Sequence, residues 1–157
     1  MDARNFKASW DYAFYKYEDG KTKNIHFLTV HITLATNDRT SYFSGEPFHC
    51  KFCFREGVIV REDNYHIAIL CINTYNFQQE TVIPILRSIS GEHAVSLEHT
   101  IFGRPLGRRN IDATEYKRYY LYNYVVHTAQ RALWQSRNAF NNGNRISDVK
   151  IILGISY

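Results

Sequence analysis

The segment Asp112–Gly143, DATEYKRYYLYNYVVHTAQRALWQSRNAFNNG, decides how the rest of the chain is read. Asp112 with Glu115 three residues on has the pattern of a capping box, and both acids sit where the helix dipole favours negative charge. No Pro or Gly interrupts the run before Asn141-Asn142-Gly143, a C-terminal stop. The pattern predicts one helix over about residues 113–140, about 40 Å long at ~1.5 Å rise per residue.

The two faces of this helix differ in kind. Leu121, Val125, Ala129, Ala132, Leu133, Ser136 and Phe140 recur at helical spacing, with Tyr122 and Val126 at the margin, and predict the core-facing stripe. The opposite row is Tyr116, Tyr120, Asn123, His127, Gln130, Trp134 and Arg137. Large amphipathic rings interleaved with Arg, Asn and His suit a contact: a second subunit, a nucleic acid, or another layer of the same fold.

Working outward, the flanking segments are basic. From Arg104 to Lys150 the chain holds nine Lys/Arg, including Arg104, Arg108, Arg109, Lys117, Arg118, Arg131 and Arg137, against three acids. The remaining residues hold ten against twelve, so the net charge of +4 belongs to this one region. Such asymmetry points to a polyanionic partner. Arg and Lys would contact phosphates, and Tyr116, Tyr120, His127 and Trp134 would supply stacking or interface rings.

N-terminal to the helix the chain is rich in aromatic and β-branched residues, a strand-friendly composition. Strands are expected at Asp11–Asp19, Phe27–Leu34, Phe48–Phe54, Val58–Arg61, Asn64–Tyr75 and Glu92–Phe102, with a terminal strand at Val149–Tyr157. A hairpin turn is expected around Glu18–Lys21, and a short helix at Gln79–Ile89. The fold expected is therefore α+β: a single domain over residues 1–157, with an antiparallel sheet of about six or seven strands packed against one long helix.

Three cysteines and seven histidines raise the question of metal. His49-Cys50-x-x-Cys53 resembles half a zinc site, but a second pair of ligands is needed. His66 and Cys71 are five residues apart, and on a continuous strand they would face opposite ways. By the same parity His26 and His31 do not form a ligand pair. Buried thiols, with no metal and no cofactor, are the expectation.

The chain has no Walker loop, GxGxxG, GxSxG, HExxH or EF-hand pattern. No run of about 18 apolar residues is present, and the first residues lack a signal-peptide layout, so an intracellular, cytoplasmic protein is expected. The functional expectation is a non-enzymatic RNA-binding protein that recognises shape and backbone, as a homodimer or larger oligomer. A viral accessory protein such as an RNA-silencing suppressor would fit. The alternative is a self-assembling viral structural protein of matrix or capsid type, with its basic patch on membrane or genome.

Overall fold

The computed structural model describes residues 19–30, 33–91, 94–104 and 112–143. The protein is mostly helical, and among the described residues there is no β-strand, so the expected α+β sheet is replaced by helices. In chain order these are α1 (Gly20–Val30), α2 (Asn37–Ser44), α3 (Lys51–Arg55), a π-helical turn (His66–Leu70) and α4 (Ile72–Phe77). A second π turn (Gln78–Val82), α5 (Ile83–Ser90), α6 (His99–Phe102) and α7 (Ala113–Asn141) follow. The only pairing of strand type among the described residues is one antiparallel bridge between His49 and Arg61. The strands expected at Val149–Tyr157 and, but for Asp19, at Asp11–Asp19 lie outside the described residues.

The physical reason for the correction lies in the buried positions. Ile67, Cys71, Thr74, Gln78, Val82, Leu86 and Ser90 are all buried, and they step by three or four residues, the period of a helix. Leu70 and Ile72, which fall within the strand expected at Asn64–Tyr75, are exposed. Short apolar runs carry both periods, and packing chooses between them. Of the turn expected at Glu18–Lys21, the described part from Gly20 on is the start of α1. Asp19 caps α1: its carboxylate accepts the backbone N–H of Lys21 at 2.9 Å and of Thr22 at 3.1 Å.

The helix expected at Gln79–Ile89 is present, entered through the second π turn. Pro84 stands near the start of α5. In a regular helix its ring would meet the carbonyl of Glu80, and the wider π turn relieves that clash.

The long helix runs Ala113–Asn141, and Asp112 caps it by accepting from the N–H groups of Thr114 and Glu115 at 2.7 and 2.8 Å. Val126, Ala129, Ala132 and Leu133 pack with Phe77, Val82, Leu86 and Tyr122 to form the main core. Leu121, expected in the core, is exposed.

The polar row of α7 is largely interior. Asn123, His127, Gln130 and Arg137 are buried, and each holds a different part of the chain. Asn123 clamps the backbone of Arg104. The His127 ring lies 3.7 Å from that of His26 on α1. Gln130 accepts from His26 Nδ1 at 2.9 Å and donates to the carbonyl of Ile101 on α6. Arg137 pairs with Glu62 and donates to Asn37 Oδ1 at 2.7 Å. The helix is thus sandwiched inside its own fold. Among the described residues no helix is long and apolar enough to cross a membrane.

Candidate metal centre

Cys50, Cys53, His66 and Cys71 converge on one point. All four are buried, and one ligand atom from each lies within 4.8 Å of the other three. The sequence found the Cys50–Cys53 pair and rejected the other two on strand parity. That argument fails because His66 opens a π turn and Cys71 caps α4, so both side chains turn to the same side.

Local structure builds the cluster from two short pieces. In the first, Cys50 immediately precedes α3 and Cys53 stands within it. The chain then turns at Gly57, with φ +82°, and comes back. Cys50 N–H donates to Val60 O at 2.9 Å, Glu62 N–H to Phe48 O at 3.0 Å, and Val58 N–H to Cys53 O at 2.9 Å. In the second, Asp63 accepts the backbone N–H of His66 at 2.7 Å and starts the π turn. The turn ends where Cys71 N–H donates to His66 O at 2.7 Å.

Two of the six ligand–ligand distances match the edges of a tetrahedral cage, and all six lie within 4.8 Å. A metal with arms of about 2.3 Å to sulfur and about 2.0 Å to nitrogen sets sulfur–sulfur edges near 3.8 Å and sulfur–nitrogen edges near 3.5 Å. Cys50 Sγ and Cys71 Sγ are 3.8 Å apart, and Cys53 Sγ and His66 Nε2 are 3.4 Å apart. A disulfide needs sulfurs about 2.05 Å apart, and all three cysteines are free thiols.

The backbone is arranged to carry negative sulfur. N–H groups reach all three: Cys53 N–H reaches the Cys50 sulfur, Ile72 N–H reaches Cys53, and Thr74 and Asn73 N–H reach Cys71. Without a cation the thiols compete for one charge. The hydrogen bond between Cys50 and Cys71 pushes the Cys50 thiol up to about 12, with burial adding to it, and lowers that of Cys71. Burial raises Cys53. A divalent cation would let all three ionise together, which is the chemistry of a Cys₃His donor set.

The cluster is tied to the rest of the fold. Phe52 stacks on Phe140 of α7 at 4.3 Å between centroids, beside Cys50, Cys53 and Cys71. Glu62, four residues before His66 and 1% exposed, accepts from Arg137 and from Asn37 N–H at 2.8 Å. Asn37 donates to His49 O at 3.0 Å, next to Cys50.

The residues expected to bind nucleic acid are not brought together on one face. Lys117, Arg118 and Tyr116 are exposed on the first turns of α7, with Tyr120 half-buried beside them. Tyr116 and Tyr120 share a hydroxyl hydrogen bond of 2.6 Å. Arg131 and Arg137 are engaged within the chain: Arg131 with Asp19 and Thr22, Arg137 with Glu62 under the ring of Trp134. His127 is 1% exposed and Trp134 half-buried, so the aromatic row is not one open surface. Arg108 and Arg109 lie outside the described residues, whereas Arg104 lines a cleft. Compared with known proteins, the chain matches no family model, no curated protein and no solved structure.

Proposed function

We propose that this chain is a non-enzymatic, zinc-organised helical module that binds RNA. The observation that carries the reading is the buried Cys50–Cys53–His66–Cys71 cluster, whose four ligand atoms lie within 4.8 Å of one another, with two of the six separations, 3.8 and 3.4 Å, close to the edges of a zinc tetrahedron. Four protein ligands would leave a zinc ion no open position for substrate, the arrangement of a structural site. The ion would tie the α3 hairpin to the start of α4. The RNA part of the reading is supported by exposed Lys117, Arg118 and Tyr116, and by the concentration of positive charge between Arg104 and Lys150.

Metal content after dialysis should be one zinc per chain. Cobalt substitution should give the visible absorption of a tetrahedral thiolate site, and Cys71→Ser should weaken it. No zinc retained and no tetrahedral cobalt spectrum would overturn the metal reading. Binding to short duplex and single-stranded RNAs across a salt series tests the partner. Each phosphate contact should steepen the log–log salt slope by about 0.7 to 0.9.

The self-assembly alternative is supported by one observation: Tyr42, Phe43 and Ile59 are large side chains 81%, 94% and 70% exposed. Light scattering on the RNA samples distinguishes the two, because assembly without RNA binding favours the alternative.

A further inference from the structure

A second site lies apart from the metal cluster. A cleft of about 200 Å³ opens where the end of α5, the segment before α6 and the residue after Gly103 meet α7. Ser90, Ala94, Val95, His99, Arg104 and Tyr122 line it.

Three of the lining side chains, Arg104, His99 and Tyr122, carry donors. Arg104 is held by its backbone, not its side chain: its N–H donates to Asn123 Oδ1 at 2.7 Å, and Asn123 Nδ2 donates to its carbonyl at 3.1 Å. Gly103, with φ +69°, allows this approach, since a Cβ there would stand 1.9 Å from Asn123 Oδ1. The guanidinium is left without an acidic partner among the described residues, and it acts electrostatically on both His99 and Tyr122. His99 Nδ1 accepts the N–H of Ser96 at 3.2 Å, which places the ring proton on Nε2 as a donor. Burial and Arg104 both keep this ring neutral. Tyr122 is 2% exposed, and its hydroxyl has no hydrogen-bond partner among the described residues. Burial pushes that phenol up to about 12, so it keeps its proton. Glu98, the acid that acts on His99, is exposed rather than part of the lining.

A guanidinium on an anchored backbone, an imidazole N–H and a phenol O–H, with no facing carboxylate among the described residues, select a ligand that only accepts and is negatively charged. We propose that this cleft is a phosphate-binding subsite, with Arg104 as the anchoring cation and His99 and Tyr122 as neutral donors. The phosphate would come from a nucleic-acid backbone, which rests on the RNA reading above, or from free phosphate, which does not.

The test uses the zinc-loaded full chain. Calorimetry measures inorganic phosphate, and fluorescence anisotropy measures a ten-nucleotide RNA with and without a 5′ phosphate. Arg104→Gln leaves the Asn123 clamp on the backbone intact and should weaken phosphate binding about tenfold to hundredfold. Tyr122→Phe, a second variant that keeps the ring packing, should weaken it a few-fold with an unchanged melting temperature. Loss of affinity for both RNAs in Arg104→Gln assigns the site to backbone phosphate. Loss for the 5′-phosphorylated RNA alone assigns it to a terminal phosphate. Loss for inorganic phosphate, in a wild-type protein that ignores RNA, keeps the site and removes the RNA function. RNA binding that responds to Lys117→Gln and Arg118→Gln but not to Arg104→Gln overturns the subsite and keeps the function. Wild-type protein that binds neither phosphate nor RNA overturns both.

Discussion

At the scale of single residues, the interior is unusual for the polar groups it holds, and two of them give direct tests. His127 is surrounded by protein, and burial lowers its pKa from 6.5 to about 3. Between those values the unfolded chain binds a proton that the folded chain refuses. Stability should therefore fall as pH drops from about 6.5 towards 3, by at most about 1.4 kcal/mol per pH unit from this residue. Urea unfolding of zinc-saturated protein at pH 5 and pH 7 checks this: His127→Gln should show a shallower pH dependence than wild type, and equal dependence would remove His127 as the cause. Arg137 and Glu62 form a buried ion pair, with Glu62 1% exposed. Arg137→Met strands a buried carboxylate and should cost about 3–5 kcal/mol, while adding Glu62→Gln should recover part of the loss. If the double variant is no more stable than the single one, the pair is not what holds that end of α7.

At the scale of elements, the turn after α6 depends on one small residue. Gly103→Ala would bring a methyl group onto the Asn123 side chain at a positive φ. Destabilisation of about 2 kcal/mol or more is expected, together with loss of the Arg104 clamp. A thermal melt and an NMR fingerprint of residues near Asn123 would show it, and an unshifted melt would mean the turn can rearrange freely. The same scale shows what the sequence made readable. Asp112, the uninterrupted run and the Asn-Asn-Gly stop located α7 to within a residue at either end, because caps and breakers are local signals. Its faces were not readable. Asn123, His127, Gln130 and Arg137 look like surface residues in a list of side chains, and only their distant partners Arg104, His26, Ile101 and Glu62 explain their burial. The segment 64–75 reads as a strand for a related reason. Its apolar residues fall on both parities, and its buried set includes His66 and Thr74, which a hydrophobic pattern passes over. Half of the metal cluster, Cys50 and Cys53, was visible from spacing alone. His66 and Cys71 were lost with the strand assignment, since a side-chain direction follows from the backbone that carries it.

At the scale of the whole molecule, the Cys50–Cys53–His66–Cys71 cluster is tied through Phe140, Glu62 and Asn37 to α7, the helix that also carries Val126, Ala129, Ala132 and Leu133 of the main core. Removal of zinc should therefore not stay local. Excess chelator at neutral pH is expected to lower the melting temperature by more than 10 °C, since structural zinc in small domains contributes on the order of 10 kcal/mol or more of apparent binding energy. Part of the helical circular dichroism should go with it, and return when zinc is restored. A melt unaffected by chelator would show that the four side chains pack without a cation. Five of the eight described elements before it, α1, α3, α5, α6 and the second π turn, pack against α7, yet α7 is the last described helix in the sequence. On a ribosome adding about 5–20 residues per second, the faces of α4 and α5 would wait a few seconds for their cover while α7 is made. The cysteine hairpin closes over a short stretch of chain and needs no such wait. Nascent chains halted before Ala113 would thus carry the four candidate zinc ligands beside an open apolar half-core, which makes the synthesis of this helix the step that covers it.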